Sequence, residues 1–378
     1  MEKNEILVIY GNKPAEMAIK IAKAAGLAEL IGDRNKRIGL KPNLVVSRPA
    51  REGATTHPEI AAGLIVYLKK NGFNNIAILE GSWVGDSTAK AFSACGYASF
   101  AKQASVELID TQKDHFETVD CRGLKIEVSQ SARNVDFMIN LPVMKGHCQT
   151  QITCALKNNK GIISDMEKRR FHSMGLTRPI ALLNTAVRND FILVDGICGD
   201  LDFEEGGSPV YAGRMFAARD PVLCDTWAAT LMGYTVSEIP YITLAEELGV
   251  GSTGPMWIRE LNKNSEAPLP NNLYSTRKVK ELSQIINEAS ACSACYAALI
   301  FALSRLGKSE RERLGRICIG QGFVGQTSDA PKPSGQKSVE KKCGIGIGQC
   351  TEGLAASCAG CPPTGAKVLS FLKQQLVR

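Results

Sequence analysis

Apolar positions in residues 1–260 follow two patterns that alternate along the chain. Short apolar runs, such as Ile6–Tyr10 and Asn75–Glu80, predict buried strands, because a strand covered on both faces is apolar throughout. Longer segments with Ala, Ile and Leu at helical spacing, such as Pro14–Leu30 and Pro58–Asn71, predict helices. Strands that alternate with helices indicate the α/β class, with a mostly parallel sheet and helices on both of its faces.

The same patterns predict the remaining elements and the domain boundary. They are strands at Arg37–Val45, Val106–Asp110, Asp136–Val143, Phe191–Gly196 and Met215–Ala218, a hairpin over Phe116–Ser129 that turns at Arg122-Gly123, and helices at Asp86–Gly96, Arg178–Val187 and Val222–Met232. We place an α/β domain at 1–260 and a small cysteine-rich, iron–sulfur-binding region at 261–378. Within it, Gln326–Lys342 is rich in Pro, Ser, Gly and Lys and predicts a loop or flexible insert. No internal repeat is evident.

Polar residues follow several of the predicted strands, at the point where each strand ends. They are Lys41, Asn43, Glu80, Asp110, Lys145, His147 and Asp195. In open parallel sheets, ligands bind outside the carboxyl ends of the strands, so these residues predict a site at that edge.

The stretch from Lys145 to His172 supplies most of the candidate chemistry. Lys145, His147 and His172, with Lys157 and Lys160, would form a positive pocket for a carboxylate or phosphate. A neutral histidine could instead act as a base, and the alternative for the lysines is a solvated basic helix face. Asp195 could be a base, a metal ligand or a turn residue. We assign catalytic roles to Lys145, His147, His172 and Asp195.

A second group of residues is assigned to binding a substrate or cofactor. Thr56 and His57 precede a predicted helix, where backbone N–H groups can bind an anion or where a hydroxyl can simply cap the helix. The complete binding set comprises Lys41, Asn43, Thr56, His57, Lys157, Asn158 and Lys160.

The cysteines are distributed unevenly. Of the 13 cysteines, six are scattered through the first 224 residues and seven crowd into 292–361. A disulfide scaffold does not fit a long chain without a visible secretory signal, so the crowded group favours a metal site. Five of the scattered cysteines are predicted to be core residues, namely Cys95, Cys121, Cys154, Cys198 and Cys224. No apolar run approaches the length of a membrane span, and we expect a cytoplasmic protein.

Four of the crowded cysteines have spacings suited to one [4Fe–4S] cluster. The ligands that we predict are Cys292, Cys295, Cys350 and Cys361, with Cys343 and Cys358 in reserve. A pair three residues apart places two thiolates on one metal centre, and proline after a cysteine also occurs in ferredoxin motifs. Zinc is the alternative, because 292/295 and 358/361 have zinc-knuckle spacing, and free buried thiols are a third reading.

The ordered set of motifs resembles the family of domains of unknown function numbered 362, over roughly residues 35–235. The motifs are Lys41-Pro-Asn43, Thr55-Thr-His57-Pro58, Glu80-Gly81, Gly96-Tyr97, Asn140-Leu-Pro-Val-Met-Lys145-Gly-His147, Lys157-Asn158, Lys160-Gly161, His172, Asp195-Gly196 and Arg219-Asp220-Pro221. The resemblance implies an iron–sulfur site on the carboxyl-terminal side of this domain. A more distant likeness is to the lactate racemases.

The sequence is compatible with three functions. The first is a redox enzyme that passes electrons between the cluster and a small anionic substrate or cofactor in the α/β domain. The second is an electron-transfer module without chemistry of its own, and the third is a non-redox enzyme with a structural cluster or zinc. The net charge of +7 is spread along the chain, which argues against nucleic acid and favours anionic molecules. A redox protein partner and a homodimer remain open.

Overall fold

The computed structural model of the protein describes residues 1–262, 275–325 and 344–377. The chain divides into two units, Met1–Phe171 with Leu176–Thr276, and His172–Gly175 with Arg277–Arg378. The domain boundary placed between 260 and 261 stays a prediction. In the described ranges, no helix combines the length and the apolar character needed to cross a membrane.

The first unit has the α/β architecture that the sequence predicts. Its strands are β1 (Glu5–Tyr10), β2 (Ile38–Pro42), β3 (Ile76–Glu80), β4 (Glu107–Asp110), β5 (Phe116–Cys121), β6 (Leu124–Ser129), β7 (Phe137–Leu141), β8 (Lys145–His147), β9 (Gln151–Thr153), β10 (Phe191–Asp200), β11 (Pro209–Ala218) and β12 (Trp257–Glu260). Its helices are α1 (Pro14–Ala24), α2 (Leu27–Ile31), α3 (Pro58–Lys70), α4 (Thr88–Ala94), α5 (Tyr97–Ala104), α6 (Gln130–Arg133), α7 (Ala155–Asn158), α8 (Asp165–Ser173), α9 (Thr177–Leu183), α10 (Pro221–Leu231) and α11 (Pro240–Glu247).

Eight of the described strands form one mixed sheet in the order β12-β1-β11-β10-β7-β2-β3-β4. β11 is antiparallel to both of its neighbours, β1 and β10, and the other described pairings in this sheet are parallel. The predicted fold class is therefore confirmed. The reversed strand β11 follows from a long hairpin with β10, which reaches Asp200 rather than ending at Gly196 as predicted.

Helices cover both faces of the large sheet. Successive residues of a strand point to opposite faces, so neighbouring residues of β10 pack against different helices. Leu193 of β10 packs in the same core as Ile21 of α1 and Leu64 of α3. Its neighbour Val194 packs in the opposite core, with Ile180 of α9. The predicted helix Pro14–Leu30 is in fact two helices, because Gly26 has φ = +64° and ends the first.

The predicted hairpin is confirmed as β5 and β6. Arg122 and Gly123 both have positive φ, +53° and +91°, as a tight two-residue hairpin turn requires.

The second unit contains a small parallel sheet. Its elements are α12 (Lys278–Leu282), β13 (Ile286–Glu288), α13 (Ser293–Leu303), α14 (Lys308–Leu314), β14 (Ile317–Ile319), β15 (Ile345–Ile347), β16 (Ala356–Cys358) and α15 (Gly365–Val377). The four described strands pair in chain order, β13-β14-β15-β16, and every pairing is parallel.

A short repeat is present in this sheet, contrary to the sequence analysis. Residues 317–319 pair in register with 345–347. Each strand is followed by a glycine with positive φ, Gly320 at +118° and Gly348 at +92°, and then by a 3₁₀ turn that starts at a glutamine. The repeat is too short and too degenerate to stand out from the apolar background, and the strand pairing makes it visible.

Candidate functional site

The polar edge of the large sheet is organised around a buried ion pair. Lys41 ends β2 and Glu80 ends β3, the neighbouring parallel strand. The Lys41 Nζ lies 3.0 and 2.9 Å from the two carboxylate oxygens of Glu80, and both side chains are buried. Burial lowers the pKa of Lys41, and the Glu80 charge opposes that shift. A pair without access to water fixes the edge rather than binding a ligand.

Buried asparagines extend this network to the next strand. Asn158 Oδ1 accepts from Asn43 Nδ2 at 2.9 Å, and Asn158 Nδ2 donates to Asn140 Oδ1 at 2.7 Å. The backbone N–H of Asn43 donates to Thr56 Oγ1 at 2.8 Å, and that hydroxyl donates to the carbonyl of Leu141. Asn43, Thr56 and Asn158, predicted to bind a ligand, are thus brought together, and they bind one another.

Lys145 has all three of its donors engaged by the protein. Its ammonium donates to Asn43 Oδ1 at 3.0 Å, to the Glu204 carbonyl at 2.9 Å and to the Ala54 carbonyl. Burial lowers the pKa of Lys145 to about 7, and the charge of Glu204 opposes the shift. An ammonium has only three donors, so this lysine ties three segments together.

His147 is held in one tautomer by the backbone. Its Nδ1 accepts from the N–H groups of Gln149 and Thr150, at 3.0 and 3.3 Å, so the neutral ring carries its proton on Nε2. That Nε2 lies 3.5 Å from Glu204 Oε1. Glu204, which the sequence analysis missed, is buried in the loop between β10 and β11. Its signal was a pair of adjacent glutamates in an acidic loop.

Lys157 and Lys160 bring positive charge to this part of the edge, and the charge of Glu204 partly opposes the lowering of their pKa values. The Lys157 ammonium is buried and donates to Thr150 Oγ1 at 3.0 Å, and in the described parts of the chain it forms no ion pair with a carboxylate. Burial and the charge of Lys160 lower the pKa of Lys157 well below its usual range. Burial and the charge of Lys168 lower that of Lys160 to about 7. This part of the edge is therefore suited to an anion.

His57 and Asp195 form a close pair. Asp195 Oδ2 lies 2.7 Å from His57 Nδ1 and accepts from the His57 backbone N–H at 2.8 Å. Asp195 is fully buried, whereas the His57 side chain is 15% exposed. Burial opposes the charged ring, but the Asp195 charge and hydrogen bond outweigh it and raise the pKa of His57. The sequence predicts separate roles for these two residues, binding for His57 and catalysis for Asp195, whereas their side chains are paired in the structure.

His172, the remaining predicted catalytic residue, lies near the end of α8, and the last two residues of this helix belong to the second unit. Its Nε2 lies 3.4 Å from Ser293 Oγ, in the residue that follows Cys292. The structure thus places His172 with the cysteine region.

Cysteines of the second unit follow three strand ends at the same edge of the small sheet. Cys292 comes four residues after β13, Cys350 three residues after β15, and Cys361 three residues after β16. Because the strands are parallel, their carboxyl ends share one edge. Cys292 is the N-cap residue of α13, and its thiol hydrogen-bonds that of Cys295 in the first turn of this helix.

The four thiols influence one another's pKa values. The Cys295 pKa is raised by the hydrogen bond to Cys292, by burial and by the charges of Cys292, Cys361 and Cys350. Burial and the charges of Cys361 and Cys292 raise the pKa of Cys350. An ionised thiol is therefore costly here unless a cation or metal centre compensates.

Of the two reserve cysteines, the structure describes only Cys358. The pKa of Cys358 is raised by burial and lowered by Lys367, and none of the other described thiols affects it. Cys343 lies outside the described residues.

A further thiol group lies inside the α/β unit. Ligand atoms of Cys154, Cys224 and Asp225 lie within 4.8 Å of one another, all buried, and could bind a metal ion. The sequence analysis treated both cysteines as core residues. The Asp225 carboxylate already accepts from the N–H groups of Ala155 and Leu156, at 2.6 and 3.3 Å, where α7 begins.

Comparison with known proteins gives one family and two distant similarities. A thylakoid-associated protein, sll1697, from Synechocystis sp. is 24% identical over 234 residues, which cover 57% of this chain and 69% of that protein. The apoprotein of lactate racemase from Thermoanaerobacterium thermosaccharolyticum aligns with a TM-score of 0.40 and 14% identity, over 62% of this chain and 57% of the racemase. This chain thus spans just over half of the racemase length. Residues 38–230, slightly more than half of the chain, match the model of the domain of unknown function DUF362, and the chain belongs to that family.

Proposed function

We propose that the protein is an iron–sulfur protein whose second unit holds one [4Fe–4S] cluster on Cys292, Cys295, Cys350 and Cys361. The observation that carries this proposal is the set of mutual interactions among these four thiols at one edge of a parallel sheet. Four thiolates are the usual ligand set of a [4Fe–4S] cluster.

The backbone around the thiols fits a bulky inorganic centre. Gly348 has φ = +92°, and a Cβ at this position would lie 3.2 Å from Cys295 Sγ. Glycine therefore keeps the space beside this sulfur open, as close packing of backbone against cluster sulfur requires. Cys361 is exposed and Cys350 half-buried, whereas Cys295 is buried.

Zinc remains the main chemical rival, because four thiolates also satisfy a structural zinc site. Anaerobic purification of the full chain with iron, acid-labile sulfide and zinc analysis separates the two. We expect about four iron and four sulfide per chain, a brown colour, and an EPR signal after reduction with dithionite. About one zinc per chain without sulfide, or a colourless protein free of metal, would contradict the proposal.

Two serine variants test the ligand assignment. Cys350→Ser should lose most of the iron, because one of the four thiolates is gone. Cys358→Ser is the matched control, since its thiol is buried eight residues away and lies outside the convergence, and it should retain iron.

The finer proposal is that the protein is a redox enzyme that acts on a small anion bound in the α/β unit. A bound cluster would supply one-electron transfer. Support comes from Lys157 and Lys160, two lysines whose pKa values are depressed by burial and by neighbouring positive charge. An anion would relieve that repulsion, so anion binding is the property to measure first. Inorganic phosphate should raise the Tm of the full chain, and Lys157→Met should reduce that rise.

The second candidate is an electron carrier without chemistry of its own. It is favoured by the exposure of Cys361, because a cluster ligated there would lie near the surface of its unit. A carrier should reduce cytochrome c rapidly after dithionite reduction, and Lys157→Met should leave that rate unchanged. A carrier should also gain no stability from phosphate.

A further inference from the structure

The His57 ring makes its hydrogen bond to Asp195 rather than to the helix that it precedes. His57 is the N-cap residue of α3, yet its side chain makes no capping hydrogen bond. Nδ1 lies 2.7 Å from Asp195 Oδ2. The ring is therefore held for a reason other than helix capping.

Asp195 is fixed on both of its oxygens. Oδ2 accepts from the His57 backbone as well as from the ring, and Oδ1 accepts from the Ile197 N–H at 3.1 Å. Its own backbone pairs with Pro142 and Met144, at 2.8 and 2.9 Å. The buried carboxylate makes three hydrogen bonds and the backbone of the same residue makes two more, so Asp195 cannot follow the ring and sets the ring's orientation.

The other ring nitrogen remains available to a ligand. Nδ1 donates to the carboxylate, which leaves the lone pair of the neutral ring on Nε2. Nε2 makes no hydrogen bond to any residue in the described ranges, and the side chain is 15% exposed. A hydrogen-bonded orienting carboxylate with an open second nitrogen is the geometry of a general base.

His57 also belongs to the segment that borders the polar edge. Ala54, three residues earlier, accepts from Lys145, and Thr56 accepts from the backbone of Asn43. A ligand at this edge would therefore meet a proton acceptor in the same segment.

We propose that His57 is a proton-transfer residue of the α/β unit, with Asp195 as its positioning residue. Its substrate class is a small molecule with an acidic C–H or O–H bond next to a group that becomes anionic as the proton leaves. In the forward step the C–H or O–H bond breaks and Nε2 takes the proton to give an imidazolium, while the bonding electron pair stays on the substrate and delocalises onto the adjacent group, which becomes anionic. No oxidant or metal is required, so the proposal stands without the cluster.

Ring-¹⁵N-labelled histidine provides the first test, because the full chain has only four histidines. NMR should show His57 with a protonated Nδ1 and an unprotonated Nε2 above its pKa. Asp195→Asn should lower that pKa and weaken the tautomer preference. A neutral His57 with its proton on Nε2 would overturn the proposal.

Exchange of the C1 protons of nitroethane in D₂O provides the chemical test. Loss of a C1 proton gives a nitronate anion, which then takes up deuterium from the solvent. We expect the wild-type chain to exchange that proton at least about tenfold faster than His57→Asn, and Asp195→Asn to fall in between. His57→Asn retains a donor that can reach Asp195 and so protects the fold. The control is His115→Gln, an exposed histidine, which should match the wild type.

Equal exchange by the wild type and His57→Asn, with both folded by circular dichroism, would overturn the proposal. Cys350→Ser should exchange as fast as the wild type. Failure of the iron assignment and failure of the His57 assignment are therefore separable.

Discussion

Cys350 and Gly322 occupy equivalent positions, three residues beyond the paired residues Ile347 and Ile319 of neighbouring parallel strands. The two turns share a positive-φ glycine and a 3₁₀ segment, but only the second contains a cysteine, Cys350. A Cβ on Gly322 would lie 2.7 Å from that of Ala289, so the turn after β14 is closed by packing. The proposed cluster therefore takes its ligands from the segments that follow β13, β15 and β16. The segment that follows β14 repeats the turn after β15 but has Gly322 where the latter has Cys350.

Gly348→Ala should lower the iron content of the anaerobically purified protein. The added Cβ meets Cys295 Sγ at 3.2 Å, and the backbone at φ = +92° is strained for any L side chain. Gly344→Ala is the matched control, because a Cβ there has nothing within 4 Å. Iron per chain and the visible absorbance measure the effect, and equal values for both variants would contradict the role of Gly348.

Breaking the Lys41–Glu80 pair should strongly destabilise the α/β unit. Lys41→Met leaves a buried carboxylate without its partner, and we expect a loss of about 3–5 kcal/mol in the free energy of unfolding. Lys41→Met with Glu80→Leu should lose less than the sum of the two single changes. Urea denaturation measures this cycle. The exposed pair of Lys13 and Glu16 is the control, where we expect about 0–1 kcal/mol.

Lys145→Met should lower the Tm of the protein, whereas Lys157→Met should not. Lys145 satisfies three buried acceptors, so its loss should lower the Tm. Lys157 has one hydrogen bond and no ion pair with a described carboxylate, so removing its buried charge should leave the Tm unchanged or raise it. Thermal unfolding without phosphate tests both variants, and a comparable fall in both would contradict the distinction.

The contribution of His57 to stability should depend on pH. Its pKa is raised in the folded state, so the folded chain binds the proton more tightly than the unfolded chain. The stabilisation is complete below the unfolded value of about 6.5 and is lost as pH rises through the folded value. The difference in unfolding free energy between the wild type and His57→Asn should therefore shrink as pH rises above about 6.5, as followed by urea denaturation. A difference that grows with pH would contradict the ion pair.

Strand-end polarity located the edge but did not assign roles at it. Lys145 looks in the sequence like a free cation beside His147, yet every donor of its ammonium is used inside the fold. Glu204 takes part because the β10–β11 hairpin brings its loop back to the edge, a long-range contact that has no signal in local spacing. His57 and Asp195 are 138 positions apart, so their contact also has no signal in local spacing.

The sequence by itself determined the α/β class, the hairpin at Arg122-Gly123 and the choice of Cys292, Cys295, Cys350 and Cys361 as candidate ligands. Those conclusions rest on periodicity, turn chemistry and local spacing, which are properties of neighbouring residues. Tertiary structure alone decided the reversed strand β11, the convergence of three strand ends on one group of thiols, and the pairing of His57 with Asp195. These depend on which strands become neighbours. That order is set by the burial of each sheet face in its own core, which no short stretch of sequence determines.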